Sequence, residues 1–220
     1  MAKQSRKKPP MVVYLGGVEK SDEIEKTDFI KKAKRFSKFP FLSIGTFNRN
    51  GRKLPKNART NFADWIIGLK KLKDGSVGVL RSHLGLGYYT ELSKDKANSF
   101  ARLHHFDINY DRKVITYTAK VLEAVHTKLK TNGVITIIAE NGGRFCNTRA
   151  LNNIKAALKK LPKGKQYILV SEEPLADKEA QLYYGYIAFA FSEYSRSRTY
   201  EGTSFRDERF RPVRLTLRKV

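Results

Sequence analysis

The sequence predicts an α+β (mixed) fold: one globular domain with a mixed sheet, amphipathic basic helices and a basic arm at each end. Three observations carry this. Residues 134 to 170 read as strand, helix of about 14 residues and strand, the pattern of a βαβ-like unit. Two amphipathic stretches between residues 29 and 73 have apolar faces at helical spacing, with other faces almost purely cationic. The last part of the chain, from Ser192, exchanges aliphatic residues for Arg, Ser, Thr and aromatics. These boundaries divide the chain into a basic arm at 1–10, a globular α+β domain at 11–192 and an Arg/aromatic segment at 193–220.

Taken in order, Pro9-Pro10 closes the basic arm and Met11 to Leu15 forms a short strand ended by Gly16-Gly17. Ser21 is a plausible N-cap, with Asp22, Glu23 and Glu25 in the first turn, where the helix dipole favours acids. Phe29, Ala33 and Phe36 share one face of that helix, Pro40 ends it, and Phe41 to Phe47 is a strand. Residues 48 to 57 form a basic loop. A helix is expected over Thr60 to Lys73, with Phe62, Trp65, Ile66, Leu69 and Leu72 as its apolar stripe. Val77 to Leu80 reads as a strand and Ser93 to Leu103 as a third helix. His105 to Ile108 and Val114 to Thr118, joined by Asn109-Tyr110-Asp111-Arg112-Lys113, suggest a hairpin with a polar turn. Residues 119 to 131 lean towards helix. Val134 to Ala139, the helix carrying Leu151, Ile154, Leu158 and Leu161, and Gln166 to Val170 make the βαβ-like unit, and Tyr183 to Phe191 is a further apolar strand.

Charge dominates the functional reading. The chain carries a formal +23 on 220 residues, and residues 29 to 73 hold thirteen Lys or Arg against one acid, Asp64. Self-repulsion on that scale points to a polyanionic partner, most simply DNA or RNA. The cations expected to touch phosphate are Lys31, Lys32, Lys34, Arg35 and Lys38 around the first helix, Arg49, Arg52, Lys53, Lys56 and Arg59 in and after the loop, and Lys70 and Lys71 on the second helix. Arg144 and Arg149 bracket the helix that follows Gly142-Gly143, where free N–H groups favour an anion. In the C-terminal segment Arg196, Arg198, Tyr200, Arg206, Arg209 and Arg211 interleave bidentate phosphate donors with stacking rings.

The resulting expectation is a non-catalytic nucleic-acid-binding protein with no cofactor and no metal. One alternative is a viral coat or nucleoprotein that packages a genome by self-assembly into a homo-oligomer or larger particle. The other is a metal-dependent nuclease or replication-initiation protein using the His104, His105, Asp107 and Asp111 neighbourhood, where Asp111-Arg112-Lys113 is a D-x-K triplet, with Glu140 at the end of a strand. A turn accounts for those residues more simply, since Asp and Asn are favoured there by local hydrogen bonding. Cys146, the single cysteine, excludes an intrachain disulfide and a multi-cysteine metal site. No stretch approaches the roughly 18 apolar residues of a membrane span, and no secretory signal is read at the N-terminus. An intracellular setting, in cytoplasm, nucleoid or virion, is expected.

Overall fold

A computed structural model describes residues 9–16, 23–45, 54–83, 85–87, 108–139, 150–176, 179–180 and 212–220. Its strands are β1 (Met11–Leu15), β2 (Phe41–Gly45), β3 (Ala58–Phe62), β4 (Val77–His83), β5 (Leu129–Ala139), β6 (Tyr167–Pro174) and β7 (Val213–Lys219). Between them lie helices α1 (Glu23–Arg35), α2 (Trp65–Lys70), α3 (Ile108–Lys128) and α4 (Ala150–Lys159). The strands form one sheet in the order β3-β2-β1-β4-β5-β7-β6. β1 to β5 are parallel, and β7 runs antiparallel between β5 and β6. Among the described residues helices follow β1, β3, β4 and β5 and lie on both faces, so the fold is a doubly wound, Rossmann-like α/β sheet. This corrects the α+β expectation.

The two faces are legible in β1. Val13 and Leu15 join Ile44, Trp65, Leu69, Tyr117, Val121 and Ile154 in the core beneath α2, α3 and α4. Tyr14, pointing the other way, joins Phe29, Ala33, Phe41 and Ala58 beneath α1. Alternation along a strand sends successive side chains to opposite faces, so α1 and α2 cover opposite sides of the sheet. The switch follows from the chain path. From β1 the chain winds outward through β2 to β3, then returns past β1 to β4, and right-handed crossovers in opposite directions place their helices on opposite faces.

Three elements differ from the sequence expectation. Residues 108 to 118 are not a hairpin but the start of α3, a helix of 21 residues. Val114, Tyr117, Val121, Leu122 and Val125 are all buried at helical spacing, which outweighs the polar run Asn109 to Lys113. That run occupies the first turns of the helix, where Asp111 is favoured by the dipole. The stretch 60–73 is not one helix either. Thr60 to Phe62 belong to β3, and the side chain of Asp64 caps a shorter α2. Trp65 and Leu69 are core residues, as their stripe predicts, whereas Phe62 stands on the strand. In the βαβ-like unit β5 and β6 do run in one direction, but β7 lies between them.

β7, which lies in the described end of the segment 193–220, is an inner strand of the sheet. It bonds to β5 on one edge and β6 on the other. Val213, Leu215 and Leu217 are buried, while Arg214, Thr216 and Arg218 alternate with them. Lys219 anchors the strand's end by donating to the carbonyl oxygens of His126 (2.7 Å) and Leu129 (2.8 Å). That places a cation at the C-terminus of α3, where orphan carbonyls and the helix dipole favour one. Around the same helix end, the Tyr167 hydroxyl donates to the Leu122 carbonyl at 2.6 Å and its ring meets His126 edge-on at 5.2 Å. Lys165 Nζ donates to Thr127 Oγ1 at 2.5 Å.

Two outcomes follow. Leu217→Ala should lower unfolding free energy by about 2–5 kcal/mol through lost burial and a residual cavity, whereas the exposed Arg218→Ala should change it by no more than about 0.5 kcal/mol; urea titration distinguishes them. Burial, together with Lys219 and Lys165, holds the His126 pKa below its ordinary 6.5. The unfolded chain therefore binds a proton at a pH where the folded one does not, so this contribution is present above pH 6.5 and fades as pH falls below it. Stability measured from about pH 7.5 down to about pH 5.5 should fall less steeply in His126→Gln than in the parent.

Candidate functional site at the carboxyl edge of the sheet

Because β1 to β5 are parallel, their carboxyl ends lie along one edge: Gly16 after β1, Gly45 in β2, Ala63 after β3, His83 in β4 and Ala139 in β5. The crevice of such a sheet opens where the winding reverses, here between β1 and its two neighbours β2 and β4. Gly16 occupies that point with φ +154°, a conformation that side-chain-bearing residues avoid. Its N–H donates to the Ile44 carbonyl at 3.0 Å, and the buried Ser43 hydroxyl donates to the Gly16 carbonyl at 2.8 Å. The exits of β1 and β2 are thereby locked together. One strand further, Ala63 N–H donates to the Gly45 carbonyl at 3.0 Å.

Asp64 stands at the exit of β3. Its Oδ1 accepts from the Ile66 N–H at 2.8 Å and caps α2, and its Oδ2 accepts from the Tyr117 hydroxyl at 2.7 Å. Trp65 stacks on Tyr117 with centroids 6.3 Å apart and planes at 29°. A carboxylate, a phenol and an indole from α2 and α3 thus share one corner of the edge. The packing beneath is close. A Cβ on Gly68 would come within 2.3 Å of the Ile44 side chain, and one on Gly85 within 2.9 Å of the Trp65 ring.

The segment after β4 is fastened across the edge. Leu86 N–H donates to the buried Ser82 hydroxyl at 3.3 Å, and Asn153 Nδ2 on α4 donates to the Gly87 carbonyl at 3.1 Å. Gly87 has φ +88°, and a Cβ there would lie 2.5 Å from the Ala150 carbonyl oxygen. Only glycine lets this turn approach α4 so closely. On the α1 face, His83 packs at 6.0 Å from Tyr14.

Among the described residues, the cations selected from the sequence lie on and just after α1, around β3 and at the end of α2. Lys31, Lys34 and Arg35 are exposed on α1, Lys32 is half-buried there, and Lys38 is exposed just beyond. Lys56 and Arg59 are exposed at and after the approach to β3. The Asn57 side chain ties that approach to α1 by donating to the carbonyls of Ala33 (3.0 Å) and Phe39 (2.8 Å). Lys70 and Lys71 end α2, on the opposite face of the sheet from α1. Arg49, Arg52, Lys53, Arg144, Arg149, Arg196, Arg198, Tyr200, Arg206, Arg209 and Arg211 lie outside the described residues, as do His104, His105, Asp107 and Glu140. Asp111 sits on α3 and not in a turn. Among the described residues, no group of three or more His, Cys, Asp or Glu converges as metal ligands, and no helix is long and apolar enough to cross a membrane.

Sequence reasoning passed over Gly16, Ser43, Asp64 and Tyr117. Gly16-Gly17 was legible only as the end of a strand, although strand, glycine pair and helix is also how a βα turn opens a crevice. Asp64, the lone acid before an apolar stripe, carried the signature of a helix cap.

No protein-family model and no curated protein sequence matches the chain. Solved structures do match its fold. A geranyl diphosphate methyltransferase in complex with GPP and sinefungin aligns with 96% of this chain and 72% of its own, with a TM-score of 0.57 at 12% identity. Geranyl diphosphate C-methyltransferase from Streptomyces coelicolor, in complex with Mg2+, geranyl-S-thiolodiphosphate and S-adenosyl-L-homocysteine, covers 96% of this chain and 70% of its own, with a TM-score of 0.56 at 13% identity. A structure of geranyl diphosphate methyltransferase in complex with SAM covers 96% and 79%, with a TM-score of 0.53 at 13% identity. These neighbours are methyltransferases in complex with small molecules, and the described cations of the basic stretch lie on both faces of the sheet. The expectation of a non-catalytic nucleic-acid binder, with its coat-protein and nuclease alternatives and its DNA or RNA partner, is corrected accordingly. The chain shares its Rossmann-like fold with these solved methyltransferase structures.

Proposed function

We propose that the protein is an S-adenosylmethionine-dependent methyltransferase whose site is the crevice at the exits of β1, β3 and β4. The observation that supports it is the coincidence of the strand order, with its antiparallel β7, and a glycine at the switch point of the sheet. Fold likeness alone does not identify an activity, so the fit of the residues matters. A nucleoside cofactor needs a place where backbone is approached closely and an acceptor for its amino or hydroxyl groups. Gly16 meets the first need because no side chain stands at the exit of β1. Asp64 meets the second, as a carboxylate held at the exit of β3 by the Ile66 N–H and the Tyr117 hydroxyl. When bound, the cofactor would supply an activated methyl group on a sulfonium.

The chain's own residues position and shield. Tyr117 and the α2 N-terminus hold the Asp64 carboxylate in place from two sides. Trp65, stacked on Tyr117 and pressed on Gly85, closes the hydrophobic side of the corner. Asn153 and Ser82 keep the segment after β4 tied down at the mouth. The formal charge of +23 favours an anionic small-molecule acceptor, drawn in by the field of the whole protein.

The reading is tested by calorimetric titration with S-adenosylhomocysteine. Saturable one-to-one binding is expected. Asp64→Asn should weaken it about tenfold or more, equivalent to about 1.4 kcal/mol, with stability nearly unchanged because Asn is as good an N-cap as Asp. Absence of saturable binding by the folded protein would reject the proposal.

A further inference from the structure

The two outermost strands of the sheet are built differently. β3, at one end, is five residues long and carries the exposed Arg59. A short strand bearing a charge is how a sheet edge is kept from pairing with another chain. β6, at the other end, is eight residues long, and among the described residues it pairs on one side only, with β7. The other side of such a strand presents a row of backbone N–H and C=O groups. Ile168, Leu169 and Val170 stand along it in succession and are 44%, 51% and 54% exposed. The charges on either side of this apolar row are segregated. Residues 159–165, which lead into β6, hold Lys159, Lys160, Lys163 and Lys165 and no acid. Residues 166–176 hold no Lys or Arg, and Glu172 and Glu173 are exposed at the end of the strand.

We propose that β6 is the interface of a two-fold dimer, pairing antiparallel with β6 of a second copy about an axis at Leu169. The order of residues along the strand selects this partner. Antiparallel pairing about Leu169 sets Ile168 of each copy against Val170 of the other, so the whole apolar row is covered at once. It also brings Lys163 and Lys165, which lead into each β6, beside Glu173 of the other copy. Opposite charges facing across a strand pair stabilise it, whereas a parallel pair in register would set Glu173 against itself. The arrangement occupies the edge of both copies, so assembly closes at two. The register irregularity between Leu169 and Ser171 adds local twist and keeps the new ladder short. Small interfaces, below about 1,200 Å², belong to transient complexes, so the dimer is weak and reversible. β6 is the strand at the far end of the sheet from Gly16 and Asp64, and the proposal does not depend on the methyltransferase reading.

Sedimentation equilibrium of the full chain tests this. The salt is held at about 0.15 M, where the Debye length is about 8 Å and the repulsion of the two net charges is screened. A reversible monomer–dimer equilibrium is expected between roughly 1 µM and 1 mM chain. Leu169→Lys places a charge on the axis, facing its own copy, and should raise the dissociation constant about tenfold or more. Glu173→Lys should raise it about threefold or more. Both side chains stand in water in the single chain, so each variant should keep the parent's circular dichroism and urea midpoint. Leu169→Cys in a Cys146→Ser background should cross-link two copies under mild oxidation. Residues facing each other across an antiparallel pair have Cα atoms about 4.5–5.5 Å apart, within reach of a disulfide. Ile67→Cys on α2, at a position 54% exposed, should not cross-link. Three results would overturn the proposal: a monomer or an assembly larger than two across the whole range, a dimer that neither Leu169→Lys nor Glu173→Lys weakens, or cross-linking as ready from Ile67→Cys as from Leu169→Cys.

Discussion

The rest of the structure depends on β1. Its five residues are hydrogen-bonded on both edges, to β2 and to β4, and Val13, Tyr14 and Leu15 are buried whichever face they point to. A strand enclosed in this way must read as a continuous apolar run, and Met-Val-Val-Tyr-Leu does. Because β1 is where the winding reverses, α1 and α2 must pack on opposite faces, and the exit of β1 must open into the gap between crossovers. Gly16 stands at that exit. The crevice is therefore a product of topology, and the neighbouring hydrogen bonds from Ser43, Ala63 and Asn153 hold it in shape.

The same topology redistributes the charge. Residues 29 to 73 hold thirteen Lys or Arg and one acid, and their described cations lie on both faces of the sheet, around α1 and at the end of α2. Several cations have structural tasks. Lys219 caps α3, Lys165 bonds Thr127, and Lys128 pairs with Asp74 at 2.6 Å, an interaction that also holds the Asp74 pKa below its ordinary value. Arg214 pairs with Glu179 and Lys155 with Glu172. Exposed pairs of this kind contribute about 0–1 kcal/mol each, so they relieve local repulsion more than they stabilise the fold. Most of the excess positive charge remains as a long-range field.

What was legible in the sequence was local. The apolar run of β1, Pro40 before β2, the stripe of Trp65 and Leu69, and the order β5, α4, β6 all follow from short-range periodicity. What was not legible depended on distance. Nothing in Val213 to Lys219 says that it inserts between strands that are 28 residues apart in the chain, because its partners at Ile135 and Leu169 are remote. Residues 108 to 118 satisfied two periods at once, and the helical one prevailed because α3 has a sheet and two other helices to pack against. The site suffered most. Asp64 and Tyr117 are 53 positions apart, and their bond exists only once β3 and α3 meet across the core. A net charge of +23, by contrast, is visible at once.

The central claim is that ligand chemistry resides at the carboxyl edge of this sheet. Amide hydrogen exchange with and without S-adenosylhomocysteine tests it most directly. The account predicts slowed exchange at Leu15, Gly16 and residues 63 to 66, with little change at Met11, Phe41 and Gly78 on the opposite edge. Protection confined to the amino-terminal edge, or spread evenly over the chain, would contradict it.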